Sequence, residues 1–64
     1  MADLSRIFDI WQRVNCRIDD RLYEGVVNEV YCDHIIVDIA EISNHCWFEE
    51  GINIGDVYPE YNYW

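Results

Sequence analysis

The chain has 64 residues, 52% of them hydrophobic and 16% aromatic, and a formal net charge of −9. Its length allows a single domain, 1–64, burying only about 60% of the surface its unfolded form exposes, and its apolar content excludes a disordered acidic tail. Thirteen acids against four arginines and no lysine argue against direct nucleic-acid binding, whose affinity comes largely from cations on phosphates.

Leu4, Ile7, Phe8, Trp11 and Val14 follow the spacing of an amphipathic helix, which predicts a helix over about 3–14 with Asp3 as its N-cap. The charges scattered through this segment do not suit a secretory signal peptide. No run of the chain approaches the roughly 18 apolar residues of a membrane span. Val14, Cys16 and Ile18 then alternate with polar residues, as in a half-exposed strand. Asp19-Asp20 reads as a turn, and 22–31 as a second strand in which Gly25 marks a sharp bend or bulge. Cys32-Asp33 is the next turn, followed by the strand "HIIVDIA", rich in β-branched residues. "EISNH" is a polar turn, "CWFEE" a fourth strand, and "GINIGDVY" holds a short fifth. Pro59 ends regular pairing because it has no amide hydrogen to donate, leaving an aromatic tail, 59–64. The expected fold is mainly β with one N-terminal helix (α+β), its five short strands over about 14–58 curled into a small barrel.

"RLYEG" at 21–25, "IIV" at 35–37 and "NIGDV" at 53–57 resemble the second strand, third strand and second motif of the Sm-like RNA-binding barrels. The resemblance spans about 14–58 and implies an SH3-like or Sm-like architecture, with that family's habit of joining edge strands into rings or dimers. The chain departs from the family at its RNA site. The acidic loop position falls on Tyr31, the RNA-contacting asparagine position on His34, and Ile54 stands where an arginine usually precedes the glycine, here Gly55. These departures argue against inheriting the RNA site.

The remaining side chains point away from catalysis. The chain has two serines, Ser5 and Ser43, and no threonine or lysine. Cys46 beside His45 lacks an orienting third group, so no enzymatic activity is expected. Cys16, Cys32, His34, His45 and Cys46 are zinc-ligand types, with Cys32 and His34 spaced to share an ion. No CxxC or HxxxH pair exists, however, and cysteines ordinarily serve as small core residues. No metal or cofactor is expected. Three cysteines without a disulfide framework suit a reducing compartment, hence the cytoplasm, or the host cytoplasm if the protein is viral.

Charge distribution is the most informative feature. All four arginines (Arg6, Arg13, Arg17, Arg21) lie in the first 21 residues, balanced there by four acids. The rest of the chain carries Glu24, Glu29, Asp33, Asp38, Glu41, Glu49, Glu50, Asp56 and Glu60, and no cation of the lysine or arginine type. Such a surface repels polyanions and steers basic partners inward. Residues two apart on a strand lie about 6.6–6.8 Å apart, comparable with two nucleotide steps of a duplex strand. The expected partner is therefore a basic, nucleic-acid-binding protein whose groove the chain occupies as a nucleic-acid mimic, as small acidic inhibitors of phages and mobile elements do. The alternative is an Sm-like or SH3-like oligomeric adaptor or RNA-associated module. Tyr61, Tyr63 and Trp64 either cap the core or form an aromatic anchor for the partner.

Overall fold

The structure, a computed structural model, describes residues 3–59. Five antiparallel strands make one open sheet in the order β4-β3-β2-β1-β5. They are β1 (Arg13–Ile18), β2 (Arg21–Val30), β3 (His34–Ile39), β4 (Asn44–Glu49) and β5 (Val57–Pro59). Single 3₁₀ turns at Leu4–Arg6, Ala40–Ile42 and Ile54–Asp56 stand between or before them. No helix among the described residues is long and apolar enough to cross a membrane.

Period-2 alternation decides which side chains enter the core. Val14 and Cys16 on β1, Val27 on β2, Ile35, Val37 and Ile39 on β3, Phe48 on β4 and Val57 on β5 are all buried on one face. Their strand neighbours point to the opposite, outer face. Asp19 and Asp20 have φ of 51° and 64°, the pair of left-handed conformations a type I′ hairpin turn requires. The β1–β2 ladder runs without interruption from Ile18↔Arg21 to Arg13↔Val26.

Gly25 and the strand irregularity turn out to be separate devices. The β2–β3 register breaks between Val27 and Glu29, leaving Asn28 as the extra residue of a bulge. Gly25 instead allows close approach: a Cβ there would lie 2.5 Å from Val37 Cγ1 and 3.2 Å from Ile39 Cγ1. The inward side chains of β3 lean over β2 at this point.

The expected helix over 3–14 is not formed. Asp3 does cap, accepting from Ser5 N at 3.0 Å and from Ser5 Oγ at 2.6 Å, but the structure it caps is one 3₁₀ turn. Phe8 N reaches Leu4 O at 3.0 Å, and this single turn places Leu4 and Phe8 in the core. Ile7, Ile10 and Trp11 are exposed. The chain then takes a left-handed step at Trp11 (φ 71°) and joins β2, with Trp11 N on Val27 O at 2.7 Å and Val27 N on Gln12 O at 2.9 Å. A twelve-residue helix is marginal without packing on its whole apolar face, and pairing of Trp11 and Gln12 with Val27 of β2 gives the backbone a competing set of hydrogen bonds.

Candidate functional site

The outer face of the sheet and its turns carry the acidic residues. Glu24 and Glu29 point outward from β2, Asp38 from β3 and Glu49 from β4. Asp33, Glu41, Glu50 and Asp56 stand in the connections, and every one of these eight is exposed or half-buried. Glu60 and the aromatic residues Tyr61, Tyr63 and Trp64 lie outside the described residues. No strand repeats its carboxylates at the two-residue interval. The acids are spread across strands instead, between apolar and aromatic neighbours: Asp38 sits between Val26 and His45, and Glu29 stands across from Ile36, which faces Trp47.

Three of the acids gather around a feature the sequence did not announce. At the end of the sheet where β2 turns into β3, the rings of Tyr31, His34 and Trp47 form a continuous stack. His34 is the middle layer, with its centroid 4.4 Å from Tyr31 and 3.9 Å from Trp47, at interplanar angles of 19° and 6°. Each ring is tied to one carboxylate by its polar atom. The Tyr31 hydroxyl donates to Glu29, His34 Nδ1 lies 2.7 Å from Asp33 Oδ1, and Trp47 Nε1 donates to Glu49 Oε1 at 3.2 Å. The hydrogen bond to Glu29, together with that negative charge, holds the Tyr31 phenol above its ordinary pKa.

The backbone beneath the stack is clamped. Asn53 Nδ2 donates to Trp47 O at 2.9 Å while its Oδ1 accepts from Glu49 N at 2.7 Å. Glu50 N donates to Asp33 O at 2.9 Å, joining the turn after β4 to the turn before β3. Trp47 is nevertheless 53% exposed and Tyr31 44%, whereas the His34 side chain, covered on both faces, is 15% exposed. The alternation of β4 was the available signal: with Phe48 inward, Trp47 must face out, and an outward tryptophan is not a core residue.

The arginines do not assemble into one patch. Arg13 shares a shallow groove with Glu24 and Asp38. Arg17 pairs with Asp20 at 2.9 Å, and Asp20 first, then Tyr58, raise its pKa. Arg21 faces the other side of the β1–β2 hairpin and lies over the Tyr23 ring at 5.5 Å. His45 is exposed and Cys46 half-buried against the core, so the neighbours point to opposite faces. Cys32 is exposed in the β2–β3 turn, while the His34 ring is held in the stack. Among the described residues, no three His, Cys, Asp or Glu side chains converge as metal ligands would.

Comparison of the chain with protein-family models, curated proteins and solved structures finds no match.

Proposed function

We propose that this chain is a small, non-catalytic acidic protein that binds a basic nucleic-acid-binding protein and inhibits it by occupying its nucleic-acid groove. The observation that carries this reading is the single sign of the charge beyond residue 21. Eight described carboxylates there are exposed or half-buried on the outer face and its turns. No lysine or arginine interrupts them along the chain, and in the fold Arg13 sits among them, beside Glu24 and Asp38. A surface of this kind attracts a basic groove over a distance set by salt. The separated positions of Arg13, Arg17 and Arg21 weigh against a phosphate-binding site on this chain itself. Small acidic inhibitors from phages and mobile elements resemble it in size and charge, and the compartment we assign is the cytoplasm, that of the host if the protein is viral. The finer architecture we assign is an SH3-like or Sm-like barrel, supported by the bulge at Asn28 and the crowding of β3 over Gly25.

The test is capture of partners from a cytosolic lysate on the immobilised full chain. The bound fraction should be enriched in basic nucleic-acid-binding proteins, released by raising salt and by competing DNA or RNA. Recovery of only neutral or acidic partners, insensitive to salt, overturns the reading.

One observation favours a second reading, an oligomeric adaptor. β4 and β5 are sheet edges, and edge strands offer backbone groups for pairing with another chain. A defined oligomer in light scattering that also shifts RNA at low salt supports it; a monomer that leaves RNA unshifted removes it.

A further inference from the structure

The Tyr31–His34–Trp47 stack narrows what the partner presents. Near-parallel rings at contact distance form a platform that a further planar group can extend, and the two end rings remain substantially exposed. One planar candidate is a nucleobase, since single-stranded nucleic acids stack on aromatic side chains. A nucleobase brings its phosphate with it, however, and here each ring stands beside a carboxylate: Glu29, Asp33 and Glu49. Charge complementarity therefore selects a group that is planar and cationic. Lysine meets only the second condition, because its ammonium is a compact, strongly hydrated point charge. A guanidinium meets both, stacking on an aromatic face while its N–H fork addresses a carboxylate. The Asn53 clamp and the three ring-to-carboxylate hydrogen bonds hold the platform in place before any partner arrives. Little further ordering is then needed on binding.

We infer that the stack is the docking point for an arginine side chain of the basic partner, with the guanidinium laid on the outer face of Trp47 and its N–H groups directed to Glu49. This inference rests on the reading above that the partner is a basic protein.

The test uses the full chain and two peptides of equal length and charge, one of arginines and one of lysines, titrated at about 0.1 M salt. Calorimetry reports affinity, and the indole N–H signals in NMR report position, with the Trp47 signal assigned by its loss in Trp47→Phe. The arginine peptide should bind at least about tenfold more tightly than the lysine peptide and move the Trp47 signal more than that of Trp11. Trp47→Ala should abolish the preference, weakening the arginine peptide by more than the lysine peptide. Glu49→Gln, of the same shape, should reduce the arginine preference, and a thermal melt confirms that each variant is folded. Equal affinities, or an arginine preference that survives both substitutions, overturn the inference and leave the acidic-surface reading standing. Binding of neither peptide overturns both. Movement of the Trp47 signal by a single-stranded oligonucleotide, with none by the arginine peptide, also overturns the inference and makes a nucleobase the occupant.

Discussion

Gly25 is crowded by β3, and Cys16 is fully buried in the core. A methyl group at Gly25 would meet Val37 Cγ1 at 2.5 Å, with Asp38 O at 3.2 Å behind it, and Val37 is itself fully buried. Overpacking of this kind costs about 1–3 kcal/mol, a large share of the stability of so small a domain. Gly25→Ala should accordingly lower the urea midpoint without changing the slope of the transition. Glycine was legible in the sequence as a special position, but its reason was not, because the crowding atoms come from β3, twelve to fourteen residues away. At Cys16, burial first and the nearby Cys46 second push the thiol from its ordinary 9.0 up to about 12. A thiol whose folded value lies above its unfolded one contributes stability in full below the unfolded pKa and loses it as pH rises toward the folded one. Unfolding free energy should therefore fall by up to a few kcal/mol between about pH 9 and 12. Cys16→Ala should make that alkaline limb shallower, the raised Tyr31 phenol and Cys46 thiol accounting for what remains. Cys32, exposed in its turn, should react with iodoacetamide in the native state while Cys16 stays protected.

The number of strands and the turns at Asp19-Asp20 and Cys32-Asp33 were legible because each is announced locally. Asn44 and His45, expected in a turn, instead begin β4, and Pro59, expected to end pairing, lies opposite Val14 in β5. The type I′ turn at Asp19-Asp20 shows what local chemistry can still improve. Both residues have positive φ, and Asn-Gly suits this turn better than a pair of adjacent acids. The exchange breaks the solvent-exposed Arg17–Asp20 pair, a loss expected to be small. The double substitution Asp19→Asn/Asp20→Gly should raise Tm by about 2–6 °C in a thermal melt. Non-local elements were less legible. The apolar spacing of Leu4, Ile7, Phe8, Trp11 and Val14 fits a helix, yet two of those positions are satisfied by one 3₁₀ turn and Val14 by β1. Trp11 and Gln12, farther along the same segment, are instead hydrogen-bonded to Val27 of β2, a pairing that no local pattern reveals. Asn53 was invisible for the same reason. Asn53→Ala leaves the half-buried Glu49 N–H without its acceptor, a loss of about 1–3 kcal/mol, and should broaden the Trp47 indole signal in NMR as the base of the stack loosens.

Over the whole molecule, charge and shape pull in opposite directions. A net charge of −9 on 64 residues destabilises the compact state by self-repulsion, and a core of ten buried apolar side chains among the described residues has to hold against it. Raising sodium chloride from about 0.01 to 0.15 M shortens the screening length from about 30 to 8 Å, and Tm should rise. A flat response would show the carboxylates to be compensated within the fold. The direction of the charge was legible in the sequence; its placement was not, because which acids meet which rings depends on β2–β3–β4 register. That register has an optical consequence. An imidazole 3.9 Å from an indole lies within range to quench its excited state, whereas Trp11, 73% exposed, has mainly water around it. Trp47 should emit dimly beside His34, and the difference spectrum between the native chain and Trp47→Phe isolates that emission. Dim Trp47 emission in the native chain would make the stack an optical reporter, brightening when anything prises the rings apart.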